Sequence, residues 1–149
     1  MKAAWVDHRK GRYFVGPYSA TLVIDVLGVP PYHVLDASCS ADELGHTVKR
    51  ALNASAEEAL DAEGVARVGE ERMAALAALA RVKHWRTYER GTRHVDVEYV
   101  SANEILITPN FRKRGYWEPV PEAQWLRLRH PSDAELGEAT MTAVARSSG

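Results

Sequence analysis

Two short stretches of this chain, SADELG at residues 40–45 and SDAELG at residues 132–137, have nearly the same sequence and decide where two helices begin. In each stretch a serine, Ser40 or Ser132, lies three positions before a glutamate. This spacing is typical of a capping box, in which the serine hydroxyl and the glutamate carboxylate each accept a hydrogen bond from a free backbone amide at the helix start. The two stretches therefore predict two helix N-termini rather than a duplicated functional site.

Apolar residues follow each predicted helix start at helical spacing. The positions i, i+4, i+7 and i+8 hold Leu44, Val48, Ala51 and Leu52 in the first copy, and Leu136, Thr140, Ala143 and Val144 in the second. Residues at this spacing share one face of an α-helix. A strand-like run precedes each helix, at residues 32–36 and 124–129. The repeated unit is therefore a strand, a cap and a helix.

A glycine, Gly45 or Gly137, ends each of the two stretches inside the predicted first turn. Glycine within a helix costs about 1 kcal/mol relative to alanine. Its presence in both copies indicates that another group lies close to the helix at this point. The candidates are the backbone of a neighbouring strand, which we expect, and an anion bound at the helix N-terminus.

The rest of the chain alternates between strand-like and helix-like segments. Further strands are predicted at residues 11–16 and 22–26 and in a hairpin over 93–109, and a loop is predicted at 110–123. A helical region is predicted at 55–82, with a break near Gly64 and Gly69. Its apolar stripe consists of Met73, Leu76, Ala77 and Ala80. This pattern predicts one α/β (α+β) domain over residues 1–149, with helices packed on a mixed sheet of about five or six strands.

Composition narrows the classes of protein to which the chain can belong. It has 149 residues, one cysteine and a net charge of −1. No apolar run approaches the roughly 20 residues that span a bilayer, and the N-terminal segment lacks the apolar core of a signal peptide. We therefore expect a cytoplasmic protein without an internal disulfide. The near-neutral charge argues against a dedicated nucleic-acid-binding protein.

Candidate catalytic and metal-binding residues are few. A nucleophilic Cys39 paired with His33 or His46 is one alternative, because a helix N-terminus lowers the pKa of a nearby thiol. The position of Cys39 directly before a cap, and the tendency of cysteine to be buried, favour a structural role instead. The six histidines have no spacing that would bind zinc. We therefore expect no enzyme activity, no metal and no cofactor.

Two basic segments, residues 89–94 and 111–117, allow a second interpretation as an RNA-binding module. Basic side chains would bind phosphates while aromatic side chains stack on the bases of a single strand. The residues concerned are Arg90, Arg93, Arg112, Lys113 and Arg114, with Tyr116 and Trp117 as the aromatic partners. The interpretation that we favour is a solvated loop whose aromatic residues pack on the core.

The order of the segments GRYFVG, PPYHVLDAS, SADELG, HWRTYERGTRHVDVE and SDAELGEAT resembles that of the immunity proteins of contact-dependent growth inhibition (CDI) systems. The similarity extends from about residue 2 to about residue 146. It implies a small cytosolic protein that binds the C-terminal toxin domain of a cognate exported effector, CdiA. Such toxin domains are often nucleases. It also implies a protein without catalytic residues. Contact residues do not transfer, because partner surfaces differ between toxin and immunity pairs.

An acidic segment supplies the candidate toxin-binding surface. Residues 41–80 carry eight acidic and four basic residues, a local net charge of −4. Since nuclease toxins bind phosphates in basic clefts, an acidic surface would attract such a toxin electrostatically. We name this candidate the acidic surface, and it consists of Glu57, Glu58, Asp61, Glu63, Glu70 and Glu71. The alternative is an ordinary solvated helix face.

Overall fold

A computed structural model describes residues 2–148, which fold into one sheet with four α-helices. The strands are β1 (Ala3–Arg9), β2 (Arg12–Thr21), β3 (Val26–Gly28), β4 (His33–Asp36), β5 (Ala56–Leu60), β6 (Arg93–Ser101), β7 (Glu104–Lys113), β8 (Tyr116–Pro119) and β9 (Leu126–Arg129). The helices are α1 (Ala41–Asn53), α2 (Ala62–Leu79), α3 (Trp85–Glu89) and α4 (Asp133–Arg146). The predicted α/β (α+β) class is confirmed, although this part of the chain forms nine strands rather than about five or six. None of these helices is long and apolar enough to cross a membrane.

The strand order of the sheet is β3-β2-β1-β6-β7-β8, with β4 and β5 also paired to β2 and β9 paired to β7. All the pairs are antiparallel except β2 with β5, so the sheet is mixed as predicted. Trp5 on β1 lies opposite Gly16 on β2 and Asp96 on β6. Because side chains alternate along a strand, these residues share one face of the sheet, and their sequence neighbours share the other.

The first face of the sheet packs against α1 and α4. The predicted apolar faces of both helices are confirmed, because Leu44, Val48, Ala51, Leu52, Leu136, Thr140 and Ala143 are 0% exposed and Val144 is 6% exposed. Apolar residues of β1, β2, β6 and β7 complete this core, among them Val6, Val15 and Ile107. The repeated cap-and-helix unit therefore builds the main core of the protein.

The two predicted helix caps form, with one difference between the copies. Ser132 accepts a hydrogen bond from the amide of Glu135, and the Glu135 carboxylate accepts one from the amide of Ser132, both at 3.1 Å. Ser40 accepts the equivalent bond from the Glu43 amide at 3.1 Å. Within residues 2–148, the complete capping box is found only in the second copy.

The glycines of the two stretches, Gly45 and Gly137, do not face a strand; each faces the other copy of the unit. A Cβ atom on Gly45 would lie 1.7 Å from the carbonyl oxygen of Asp133 at the start of α4. A Cβ atom on Gly137 would lie 1.7 Å from the carbonyl oxygen of Ala41 at the start of α1. The expectation of a strand backbone was therefore wrong. The two helices cross at their first turns, where only glycine lets their backbones touch.

The second face of the sheet is covered in part by α2 and α3. Trp5, Phe14, Leu76, Ala80 and Tyr88 form a smaller buried cluster between these helices and the sheet. The Arg12 guanidinium donates to the carbonyl of Leu79 at 3.0 Å, and Arg9 donates to the carbonyl of Tyr88 at 3.2 Å. Cations are favourable at helix C-termini, so these two arginines stabilise the C-terminal ends of α2 and α3.

The prediction of a helical region over residues 55–82 was wrong about where the helix begins and about a break near Gly64 and Gly69. Residues 56–60 form β5 instead, because the Ser55 hydroxyl bonds both the amide and the carbonyl of Ala3 and so ties the chain beside β1. The Asp61 side chain then accepts from the Gly64 amide at 2.8 Å and starts α2. The helix continues through Gly69 without a break.

Two other predictions were wrong: the strand predicted at residues 22–26 and the loop predicted at residues 110–123. Residues 22–25 form a bend rather than a strand, and Leu22, Val23 and Ile24 are 71%, 55% and 49% exposed. Residues 110–123, predicted as loop, contain the end of β7 and all of β8. The hairpin over 93–109, with its turn at 102–103, is confirmed.

Candidate functional site

A network of polar side chains, with His94, Asp7 and Tyr88 buried and Asp96 and Tyr18 half-buried, lies on the second face of the sheet. The His94 Nδ1 atom is 2.5 Å from the Asp7 carboxylate, and its Nε2 atom is 3.2 Å from the Asp96 carboxylate. The Tyr18 hydroxyl donates to Asp96 at 2.5 Å, and the Tyr88 hydroxyl donates to Asp7 at 2.5 Å. Both ring nitrogens of His94 are thus engaged by protein groups.

The charge of this network is set by competition between burial and two carboxylates. Burial disfavours the charged form of His94, but the carboxylates of Asp96 and Asp7 outweigh it and raise the pKa of His94 to about 10. Burial likewise opposes ionisation of Asp96, but the His94 charge and hydrogen bonds from His94, Tyr18 and Asn110 lower its pKa. The network therefore holds an imidazolium between acidic side chains at neutral pH.

Two adjoining cavities open around α3. One, of about 290 Å³, has His94 and Asp7 on its floor, and the other has a volume of about 420 Å³. Both cavities are lined by Gly115. We call their combined space the arginine–tryptophan cleft, whose characteristic lining residues are Arg72, Trp85, Arg86, Arg90, Arg112 and Trp117.

Aromatic side chains hold two of the arginines and the histidine in place. The Arg72 guanidinium carbon lies 5.0 Å from the ring centroid of Trp5 and 5.2 Å from that of Trp85. Trp117 stacks on His94 with the ring centroids 5.3 Å apart, and the Arg112 guanidinium lies 5.8 Å from the Trp117 centroid. These distances are in the range of cation–π contacts, so positive charge here lies against aromatic faces.

Three buried nitrogen atoms beside the cleft make no hydrogen bond within residues 2–148. They are Trp5 Nε1, Arg72 Nε and Arg112 Nη1. Arg112 Nη2 does have a partner, since it lies 2.8 Å from the Glu89 carboxylate. All three of the unpartnered atoms carry N–H groups, which can only donate. The region therefore has an excess of buried donors over acceptors.

Comparison with known proteins assigns the chain to a family. The family model CdiI, described as CDI immunity protein, matches residues 15–147. The chain belongs to this family. The resemblance predicted from the order of the sequence segments is thereby confirmed. A search of curated protein sequences finds no match.

Two solved structures share the fold of this CDI immunity family member. A protein of unknown function from Neisseria meningitidis superposes with a TM-score of 0.85 at 20% identity, over 98% of this chain and 94% of that one. A chain of the CdiA-CT/CdiI toxin and immunity complex from Yersinia pseudotuberculosis superposes with a TM-score of 0.80 at 20% identity, over 99% of this chain and 98% of that one. At this identity the likeness shows the fold alone.

The acidic surface predicted from the sequence is exposed but is not one helix face. Glu57 and Glu58 are neighbours on β5, so their side chains point to opposite sides. Asp61 caps α2, whereas Glu63 and Glu70, seven residues apart, share a face of that helix. The sixth member, Glu71, lies 3.7 Å from Arg67. The six residues lie on two consecutive elements, and their role in binding stays a prediction.

The basic residues of the RNA-binding interpretation are divided between different parts of the surface. Arg90 and Arg112 line the arginine–tryptophan cleft. Arg93 points away from it and donates to the carbonyl of Val144 in α4 at 3.3 Å. Lys113 lies 3.9 Å from Glu118, and Trp117 is stacked on His94. These basic residues therefore do not form one continuous phosphate-binding groove.

Cys39 does not have the environment of a catalytic thiol. Burial, followed by the nearby charges of Glu43 and Asp36, raises the pKa of the Cys39 thiol. Its side chain packs against the main core. Of its two proposed partners, His46 lies instead 3.5 Å from Asp133. The structural interpretation of Cys39 is the one that these contacts favour.

The network residues were not identified from the sequence. Asp7 and His94 are 87 positions apart, and they meet because β1 pairs with β6 in a register that places them opposite each other. A local signal existed in the segment RHVDVE, where His94 and Asp96 alternate with fully buried valines. Polar residues on the second face of an otherwise apolar strand indicate either solvent or a polar network, and the sequence alone does not distinguish the two.

Proposed function

We propose that this CDI immunity protein binds the C-terminal toxin domain of a cognate CdiA effector in the cytoplasm, and that this toxin is a nuclease. The observation that carries the toxin-binding part of the proposal is the family match over residues 15–147. The acidic surface, which would suit a basic nuclease, is what favours a nuclease as the toxin. The fold shared with a chain of a toxin and immunity complex from Yersinia pseudotuberculosis agrees with it. Neutralisation follows if the bound immunity protein covers the toxin's active site or an adjacent surface.

The chemistry of the described residues favours binding over catalysis as the function. His94 has both ring nitrogens engaged by Asp7 and Asp96, and its raised pKa keeps it protonated, so it is a poor general base. The raised pKa of the Cys39 thiol leaves little thiolate for nucleophilic attack. His94 and Cys39 are therefore both held in states unsuited to acid–base or nucleophilic chemistry.

Growth rescue tests the proposed function directly. Co-expression of this chain with the CdiA toxin domain encoded beside it should restore growth, because the immunity protein removes free toxin by mass action. The measurement is the growth rate of the double expression strain, with a toxin domain from an unrelated CDI system as the control. Arrested growth with both proteins soluble would contradict the proposal, as would equal rescue from the unrelated toxin.

The acidic surface is expected to speed the encounter with a basic toxin. Exposed charges act over about one Debye length, roughly 8 Å at physiological ionic strength, and change association rates more than dissociation rates. We expect the variant Glu57→Lys/Glu58→Lys/Asp61→Asn to lower the association rate constant about tenfold at low salt, with a smaller difference at high salt. Asparagine at position 61 keeps the α2 cap.

The measurement for the acidic surface is stopped-flow association at several salt concentrations. A matched control is Asp42→Lys/Glu138→Lys, which reverses two exposed acids on α1 and α4. Equal association rates for the acidic-surface variant and the wild type at low salt would show that these residues do not steer the toxin.

A further inference from the structure

Within residues 2–148, the buried side-chain donors that lack acceptors all lie in or beside the arginine–tryptophan cleft. A Cβ atom on Gly28 would lie 2.6 Å from Arg72 Nε and 2.7 Å from Trp5 Nε1, so both unpartnered groups lie against this glycine of the cavity wall. Trp5 is 0% exposed and does not line the cavity, so Arg72 is the member of this pair that an occupant can meet. The third, Arg112 Nη1, belongs to a residue that lines the adjoining cavity. A buried donor without an acceptor costs about 1–3 kcal/mol, so an occupant that brings acceptors would be stabilised here.

The charges that line the cleft also favour an occupant with acceptor atoms, in particular an anion. Four arginines, Arg72, Arg86, Arg90 and Arg112, line the two cavities, and Glu89 and the buried Asp7 are the carboxylates among the described lining residues. The Glu89 carboxylate is already paired with Arg112, and both oxygens of Asp7 accept hydrogen bonds from network residues. The excess positive charge therefore remains available to an incoming anion.

The residue types of the cleft are those that concentrate binding energy in protein interfaces. Tryptophan, tyrosine and arginine dominate hot spots, because they combine large apolar area with a few polar groups. In the cleft Trp85 and Trp117 are half-buried and Tyr116 is 54% exposed, so each has free surface for a partner. A guanidinium group also offers a planar fork of donors that matches a carboxylate.

We propose that the arginine–tryptophan cleft anchors the bound toxin by taking a carboxylate-bearing side chain, an aspartate or glutamate on the surface of the toxin domain. This inference rests on the proposed function and specifies which surface of the immunity protein holds the complex together. The acidic surface and the cleft would then have different roles in binding the toxin. The exposed acids accelerate association, and the cleft, whose donors are desolvated, slows dissociation.

A protein carboxylate fits the cleft better than an RNA phosphate. The cleft is divided into two cavities of about 290 and 420 Å³. A carboxylate ends a flexible side chain and can enter such a cavity, whereas a phosphate in RNA is attached to a sugar on each side and follows an open groove. The separation of Arg93 from the cleft also leaves no continuous track for a nucleic-acid backbone.

The test is the dissociation rate of the toxin domain from the full chain carrying Arg86→Ala/Arg90→Ala. Both arginines line the larger cavity and are exposed in the free chain, so the fold should tolerate their loss. A toxin carboxylate seated in that cavity would cover them, so their loss should act on dissociation, unlike the loss of charges that stay exposed in the complex. We expect the dissociation rate constant to rise at least tenfold and the association rate constant to change less than threefold. The matched control is Arg50→Ala/Arg129→Ala, which removes two exposed arginines from α1 and β9.

Two further measurements identify the occupant. The variant Arg86→Lys/Arg90→Lys keeps the charge and loses the planar fork, so its dissociation rate should lie between those of the wild type and the alanine variant. In double-mutant cycles against Asp→Asn and Glu→Gln changes on the toxin, one carboxylate should show a strongly non-multiplicative effect with Arg86→Ala/Arg90→Ala and a multiplicative effect with the control pair.

The outcomes separate this inference from the proposed function. Wild-type dissociation rates in the alanine variant, with tight binding by the wild-type chain, would overturn the anchor and leave the immunity function intact. Loss of RNA binding in the same variant, with toxin binding unchanged, would overturn it in favour of an RNA-binding cleft. Failure of the wild-type chain to bind the toxin at all would overturn both.

Discussion

Alanine at Gly45 should destabilise the fold by about 3 kcal/mol or more, the upper part of the range for an overpacked core. The added methyl carbon would lie 1.7 Å from the carbonyl oxygen of Asp133 and 2.6 Å from its carbonyl carbon. Both are backbone atoms of the first turn of α4, so no side-chain rotation relieves the overlap. The helices must separate, and the core between them, which includes Leu44 and Leu136 at 0% exposure, must open.

The measurement is the free energy of unfolding in urea, and α2 provides the matched control. A Cβ atom on Gly69 meets nothing within 4 Å, so Gly69→Ala should stabilise the protein by about 0.5–1 kcal/mol through helix propensity alone. Gly137→Ala should cost about as much as Gly45→Ala, since it meets the Ala41 carbonyl oxygen at the same 1.7 Å.

The double variant tests whether the two glycines act at one crossing. Once one methyl group has forced α1 and α4 apart, the second meets less resistance, so the two costs should be clearly less than additive. Additive costs, or a cost for Gly45→Ala no larger than about 0.5 kcal/mol, would show that the helices are not in backbone contact at this point.

The parts of the fold that could be predicted from the sequence are those specified by neighbouring residues. The helices α1 and α4 are examples, because the caps at Ser40 and Ser132 set where each helix begins and the apolar residues that follow set which face is buried. The glycine in each first turn indicated a close neighbour but not which one. The Asp133 carbonyl that meets Gly45 is 88 positions away, and only the packing of the two helices brings it there.

The errors in the predicted fold have a common physical origin. Residues 56–60 have no strong strand preference of their own. They pair with β2 because the Ser55 hydroxyl lies within hydrogen-bond distance of the carbonyls of Ala3 on β1 and Tyr18 on β2, which holds the chain beside the sheet. Leu22, Val23 and Ile24 have a strand-like composition, yet the chain turns there, with the Ile24 amide donating to the Thr21 hydroxyl. In both cases hydrogen bonds between a hydroxyl side chain and the backbone, long-range at Ser55 and local at Thr21, outweigh strand propensity.

The candidate site was only partly predictable, because its residues come from distant segments. Arg90, Arg112 and Trp117 were identified as a basic and aromatic group, and the structure places all three in the arginine–tryptophan cleft. Arg72 was not identified, since its place between Trp5 and Trp85 depends on the packing of α2 on the sheet. Charge counts along the sequence predict exposed surfaces better than they predict partly buried arginines.

His94→Gln is expected to reduce the free energy of unfolding by about 3–5 kcal/mol at pH 6.5, the range for breaking a buried ion pair by removing one partner. His94 is 6% exposed and Asp7 is 3% exposed, so water cannot replace the lost charge. Glutamine can donate to one of the two carboxylates but leaves the buried charge of Asp7 without its cation, whereas the Asp96 carboxylate, whose side chain is 40% exposed, is partly solvated. A control is His84→Gln, which replaces an exposed histidine that makes no capping hydrogen bond.

The pH dependence of this loss distinguishes a charged His94 from a merely well-packed one. The pKa of His94 is raised to about 10 in the folded chain, above its ordinary value of 6.5. Because the folded pKa is the higher one, the stabilisation is complete below about pH 6.5 and disappears as the pH rises to about 10. The difference in unfolding free energy between wild type and His94→Gln should therefore shrink steadily across this window.

Other groups that titrate in this window cancel in the comparison. Burial raises the pKa values of Tyr18, Tyr88 and the Cys39 thiol, and all three are present in both proteins. Urea unfolding at half-unit steps from pH 6 to pH 9.5 gives the required curve. A constant difference between the two proteins over that range would mean that the pKa of His94 is not raised in the folded chain, so that the side chain is neutral over most of the window. Its contribution would then come from packing and hydrogen bonds alone, and its charge would not add to the positive potential of the arginine–tryptophan cleft.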